Sequence, residues 1–243
     1  MKTKGFQRFN NRLDHFLTDC ETAMAYFLNR EDIKGKGSYI FDKISKPDFA
    51  KLVNRKNSEG SRALVTTHVY HTVLVSFIKE LYEEVTEYLK YILYYGAQNG
   101  ADPGRLVGEH TVSFKANEIL SKHSFEDVVE MVISRVFQSL ENERSTINLI
   151  NKTNNKLGLG VGSDIIKDAL PYLELRHVFV HSDGKPSTEF TSQYPFFNID
   201  HKGRVVLDIN LVRDAFAKVK TLLCSFDLSL ITKGFVPHDE IVS

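Results

Sequence analysis

At 243 residues the chain is long enough for one large domain, or for one domain with an N-terminal extension. Its 31 Lys and Arg balance 31 Asp and Glu, so global charge points to no polyanionic partner. With 42% apolar and 26% charged residues it is a globular chain rather than a disordered one, and no apolar run approaches the ~20 residues that span a bilayer. The first residues, MKTKGFQRFNNRLDHF, lack a continuous apolar stretch of the secretory kind. Cysteine is sparse: Cys20 and Cys224, both in helix-like apolar surroundings, read as two buried thiols in a reducing compartment. The expected location is the cytoplasm, without a membrane span.

Apolar residues recur at helical spacing almost throughout. Phe16, Cys20, Ala23 and Phe27 predict a first helix over 6–29. The stretch 31–60 is rich in Lys, Asp, Gly and Ser and reads as an irregular connection with a short helix near 47–55. A long helix follows over 61–95, with Leu74, Ile78, Leu81, Val85, Leu89 and Ile92 as its stripe. Ser124-Phe-Glu-Asp127 is a capping sequence for the next helix, whose inward face reads as Val128, Val132, Val136 and Leu140. The segment 144–163 holds Arg144, Lys152, Lys156 and four asparagines with no acid. It reads as a solvated loop, or as a basic segment that meets phosphates. Gly158, Gly160 and Gly162 have no Lys-Ser/Thr and no strand before them, so a hinge is expected rather than a phosphate cradle.

Ser163 is the expected cap of the next helix, which runs to Ser182-Asp183-Gly184 and is kinked at Pro171. Ile166, Leu170, Leu173, His177 and Val180 form its predicted stripe. Alternation around Lys202-Gly203 predicts a small β-hairpin, and Val212, Ala215, Val219, Leu222 and Phe226 predict a last helix over 210–231. The fold class is therefore all-α: a helical bundle with a small hairpin before its last helix, residues 1–60 forming an extension and linker and 61–243 the main domain.

The stretch LRHVFVHSDG, 175–184, carries the chemistry. His177 and His181 lie four apart, on one helix face, and Glu174 reaches the same face. A zinc reading follows, but no Glu comes directly after the first His, as it does in His-Glu-x-x-His metalloproteases. As a core histidine, His177 fits the apolar stripe, which leaves Arg176 unexplained, since arginine is rarely buried without a partner. The third reading pairs Arg176 with His181. Arg and His are separated by four to six residues in Arg8/His15, Arg62/His68 and Arg105/His110 as well, so spacing alone does not decide. Only Arg176 and His181 close a long amphipathic helix that a hairpin and a final helix follow.

In that context the chain resembles the HEPN superfamily (higher eukaryotes and prokaryotes nucleotide-binding), over roughly 61–233. HEPN domains are helical bundles whose signature is Arg, a polar residue, further residues and His near a helix end. Many are metal-independent ribonucleases of toxin–antitoxin, phage-defence and RNA-processing systems. The resemblance implies an endoribonuclease without cofactor or metal, with Arg176 as phosphate clamp and His181 as general acid and base. His177, Glu174 and Asp183 would support them, and Arg144, Lys152, Lys156 and Lys185 would contact RNA. It also implies a homodimer, with an antitoxin or defence-system protein as a further partner; the rival is a silent HEPN module that binds nucleic acid or protein. HEPN toxins paired with nucleotidyltransferase antitoxins often carry Tyr two positions after the His. Asp183 stands there, so that subgroup and its Tyr modification are not implied.

Five residues along an ideal helix turn by about 500°, so Arg176 and His181 face roughly 140° apart. Either the helix unwinds at His181 or two chains share the site. Tyr88, Tyr91 and Tyr95 form a stripe suited to such an interface or to the core.

Overall fold

The computed structural model describes residues 1–28, 58–108, 113–142 and 145–242. Among these the fold is all-α. Helices α1 (Lys4–Leu28), α2 (Glu59–Gln98), α3 (Pro103–Val107), α4 (Ala116–Leu120) and α5 (Phe125–Asn142) come first. Then come α6 (Thr146–Leu157), α7 (Ser163–His181), α8 (Thr188–Gln193) and α9 (Ile209–Thr232). A two-residue antiparallel sheet pairs β1 (Lys2–Thr3) with β2 (Ile241–Val242). The helix expected near 47–55 lies outside the described residues. No described helix is long and apolar enough to cross a membrane.

The central element is α2. Its first turn is capped by Ser58, whose hydroxyl accepts from the Ser61 amide at 3.3 Å. All six residues of its predicted stripe are at most 2% exposed. Helices α1, α5, α7 and α9 pack around it. The last helix behaves the same way: Val212, Ala215, Val219, Leu222 and Phe226 are all fully buried, and Asp208 caps it through the Leu211 amide. The expected packing of the long helix against the Ser163–His181 helix is present.

Helix α1 is no appendage. Phe6, Phe9, Leu13 and Cys20 enter the same core as α2 and α9, and Arg12 reaches Glu84 at 2.8 Å. Residues 4–28 thus belong to the bundle, and the expected boundary at 60 does not separate two cores. A buried polar knot fixes this end. Asp227 of α9 accepts from the Thr3 amide at 3.0 Å, the Thr3 hydroxyl at 2.5 Å and the Tyr88 hydroxyl at 2.7 Å. Tyr88 is therefore a core residue, while half-buried Tyr91 donates to Glu240 at 3.3 Å. Cys20 is buried and burial pushes its thiol up to about 12, whereas Cys224 is exposed, against the expectation of two buried thiols.

The segment read as a loop is mostly a helix. Ser145 caps α6 through the Asn148 amide, and Gly158, in the left-handed conformation at φ 59°, ends it. Buried Asn154 donates to the Val161 carbonyl at 3.0 Å and accepts from the Val161 amide at 3.1 Å, so its side chain ties down the glycine loop that was read as a hinge. In α5 the Ser124–Asp127 capping box is present, with the two residues bonded reciprocally at 3.1 and 3.2 Å. Its buried side is Ile133, Val136, Phe137 and Leu140, turned slightly from the expected stripe. The hairpin before α9 is a tight turn: one antiparallel bridge joins Ile199 to Val205, and Gly203 takes φ 75°.

Candidate active site at the end of the RHVFVH helix

Helix α7 begins after Gly162 without a side-chain cap, so Ser163 is its first residue rather than its cap. It continues through buried Pro171 and includes His181, so unwinding at the histidine is not the solution to the 140° mismatch. The chain turns only afterwards. The Ser182 and Gly184 amides both donate to the Val178 carbonyl, at 3.2 and 3.0 Å. Asp183 adopts φ 50° and Gly184 φ 79°, a left-handed pair that suits glycine at the second position. A Cβ on Gly184 would lie 3.4 Å from the Phe179 ring, so this turn sits directly on the core.

The buried face of α7 is Ile166, Ala169, Leu170, Leu173, Leu175, Val178 and Phe179. His177 and Val180 are exposed instead of lying on that face, so the core reading of His177 is wrong. The regular stripe ends at Leu173, beyond which the inward side passes to Leu175, Val178 and Phe179.

Arg176 turns toward α2. Its guanidinium lies 3.3 Å from the Glu83 carboxylate and 4.7 Å from the Tyr82 ring centroid, an ion pair with a cation–π contact. Acids gather here: burial pushes the Glu141 carboxyl up, and the charges of Glu83 and Glu87 add to the effect. His181 turns elsewhere and meets His177, ring centroids 5.0 Å apart. Half-buried Glu174 stands near His177. Burial raises its carboxyl pKa, while the Tyr194 hydroxyl and His177 pull it back. One chain therefore presents two separate groupings, Arg176–Glu83–Tyr82 and Glu174–His177–His181, with no hydrogen bond, ion pair or ring contact between Arg176 and His181.

The other expected site residues divide. Asp183 is exposed and ion-paired to Arg204, which comes from the turn before α9. Lys185 is exposed immediately after the motif. Lys152 is half-buried on α6. Lys156 is buried, and its ammonium donates to the carbonyls of Leu106 at 2.6 Å and Val107 at 3.1 Å. It closes the C-terminal turn of α3, a structural task that withdraws it from any RNA surface. Arg144 lies outside the described residues. Sequence reasoning missed Glu83 and Tyr82, whose signal, an acid and an aromatic on the long helix, is too common to stand out. Among the described residues no group of three or more His, Cys, Asp or Glu is placed to hold a metal ion.

No protein-family model, curated protein or solved structure matches the chain.

Proposed function

We propose that this protein is a metal-independent, HEPN-type endoribonuclease that works as a homodimer in the cytoplasm. The observation that carries the reading is the end of α7: an arginine and two exposed histidines on an all-helical bundle, beside a turn that also leaves Lys185 exposed. RNA brings its own nucleophile, the 2′-OH, so the protein need supply only a proton acceptor, a proton donor and positive charge. Imidazole as a class exchanges protons near neutral pH, and guanidinium matches phosphate oxygens with a planar fork. His181 takes the 2′-OH proton as the 2′-oxygen bonds to phosphorus. The bond to the 5′-oxygen breaks, and that oxygen takes the proton that His181 carries. The products are a 2′,3′-cyclic phosphate and a 5′-OH end.

Because Arg176 and His181 diverge within one chain, a two-fold dimer that sets Arg176 of one copy beside His181 of the other is the arrangement that joins them. Phosphate must then compete with Glu83 for Arg176. The biological setting that suits such an enzyme is phage defence or growth control, with an antitoxin or defence protein as its restraint. A silent module that binds RNA or a partner is the second reading, favoured by the prior claim of Glu83 and Tyr82 on Arg176. An RNA cleavage assay separates the two: binding by the parent chain without any cleavage decides for the module.

A further inference from the structure

We infer that His177 and His181 form a two-histidine site for a borderline transition-metal ion such as zinc on the outward face of α7, and that a bound ion blocks His181 as a proton carrier. The site itself follows from geometry alone, while the block rests on the ribonuclease reading. Both imidazoles are exposed and lie four residues apart on one helix, with centroids 5.0 Å apart and planes tilted by 46°. A zinc–nitrogen bond of about 2.0–2.1 Å at a tetrahedral angle places two imidazole centroids roughly 5 Å apart, so the pair is already spaced for one ion.

The surroundings suit that ion. Glu174 lies one turn before His177 on the same helix, so a carboxyl group stands on the side from which the cation would be bound. With no third ligand among the described residues, the ion keeps water in its remaining positions. That makes it removable, a regulator rather than a structural zinc. Imidazole selects zinc, nickel and copper over magnesium and calcium, which prefer oxygen. An ion on the imidazole nitrogen occupies the lone pair that would take the 2′-OH proton, so metal binding and general-base action exclude each other.

The test is isothermal titration of zinc into the untagged full chain and into His177→Ala, His181→Ala and the control His201→Ala. Thermal melts confirm that each variant is folded. The expected result is one ion per chain in the parent and in His201→Ala, binding at least about tenfold weaker in each of the other two, and no binding of magnesium. Unchanged affinity in His177→Ala, or one ion per two chains, overturns the site. Alongside, saturating zinc is expected to slow RNA cleavage by the parent at least tenfold, reversed by chelator. Zinc that binds without slowing cleavage overturns the block. A parent that cleaves no RNA at all counts against the ribonuclease reading, and the titration still decides the site.

Discussion

Asp227 and His181 are both polar side chains on helices that face α2, yet the fold treats them in opposite ways. Asp227 is 2% exposed and its carboxylate receives three donors from two other elements. His181 is exposed at a helix end, where its ring meets that of His177. A buried polar group has to be satisfied because desolvation without partners is costly, so the Asp227 knot reads as structure. The exposed pair His177 and His181 takes no part in the core, and that freedom is what a reacting group requires. Changes at the knot should therefore alter stability, and changes at the α7 end should alter chemistry.

Beside His181→Ala, Arg176→Ala should produce the largest effect: loss of a phosphate clamp lowers cleavage by ~10²–10³-fold. Its pair with Glu83 is half exposed, so the melting temperature should hardly move; a melt that falls with activity would make Arg176 a packing residue. Asp227→Ala should do the reverse, leaving Thr3 and Tyr88 donors without their acceptor at a cost of about 3 kcal/mol. That corresponds to a thermal midpoint roughly 6–12 °C lower, read by circular dichroism. Tyr88→Phe removes one of the three donors and should cost about 1 kcal/mol. His177→Ala is expected to change stability by less than about 0.5 kcal/mol, as at an ordinary surface site. A drop of several degrees there would restore the core reading.

The smallest effect concerns pH. Burial raises the Glu174 carboxyl, so the folded state favours its protonated form. The stability this gives is present below the unfolded carboxylate pKa and is lost as pH rises through the raised folded value. Glu174→Gln should therefore melt higher than the parent at pH 7, with the difference gone by about pH 4. Equal melting points at both pH values would refute the sign.

Long helices were legible because their cores are periodic. Leu74 to Ile92 and Val212 to Phe226 form unbroken stripes on one face, and every residue of those stripes is buried. Helix α6 was hidden because four asparagines and two lysines resemble a solvated loop. Lys156 is buried there on the carbonyls of 106 and 107, pairings that only the tertiary fold supplies, and Asn154 is satisfied by the backbone of 161 just beyond the helix. The motif itself could be picked out, but the directions of its side chains could not. The 140° divergence of Arg176 and His181 was calculable from helix geometry, whereas Glu83 and Tyr82 as partners of Arg176, and the exposure of His177, depend on how α7 is rotated against α2.

The central claim is that His181 moves the proton in RNA cleavage. The direct measurement is single-turnover cleavage of a labelled RNA by the parent chain and by His181→Ala, in EDTA, with the product ends identified. The account predicts a 2′,3′-cyclic phosphate from the parent and a rate ~10²–10⁴-fold lower for the variant at an unchanged melting temperature. Cleavage by His181→Ala at the parent's rate would contradict it.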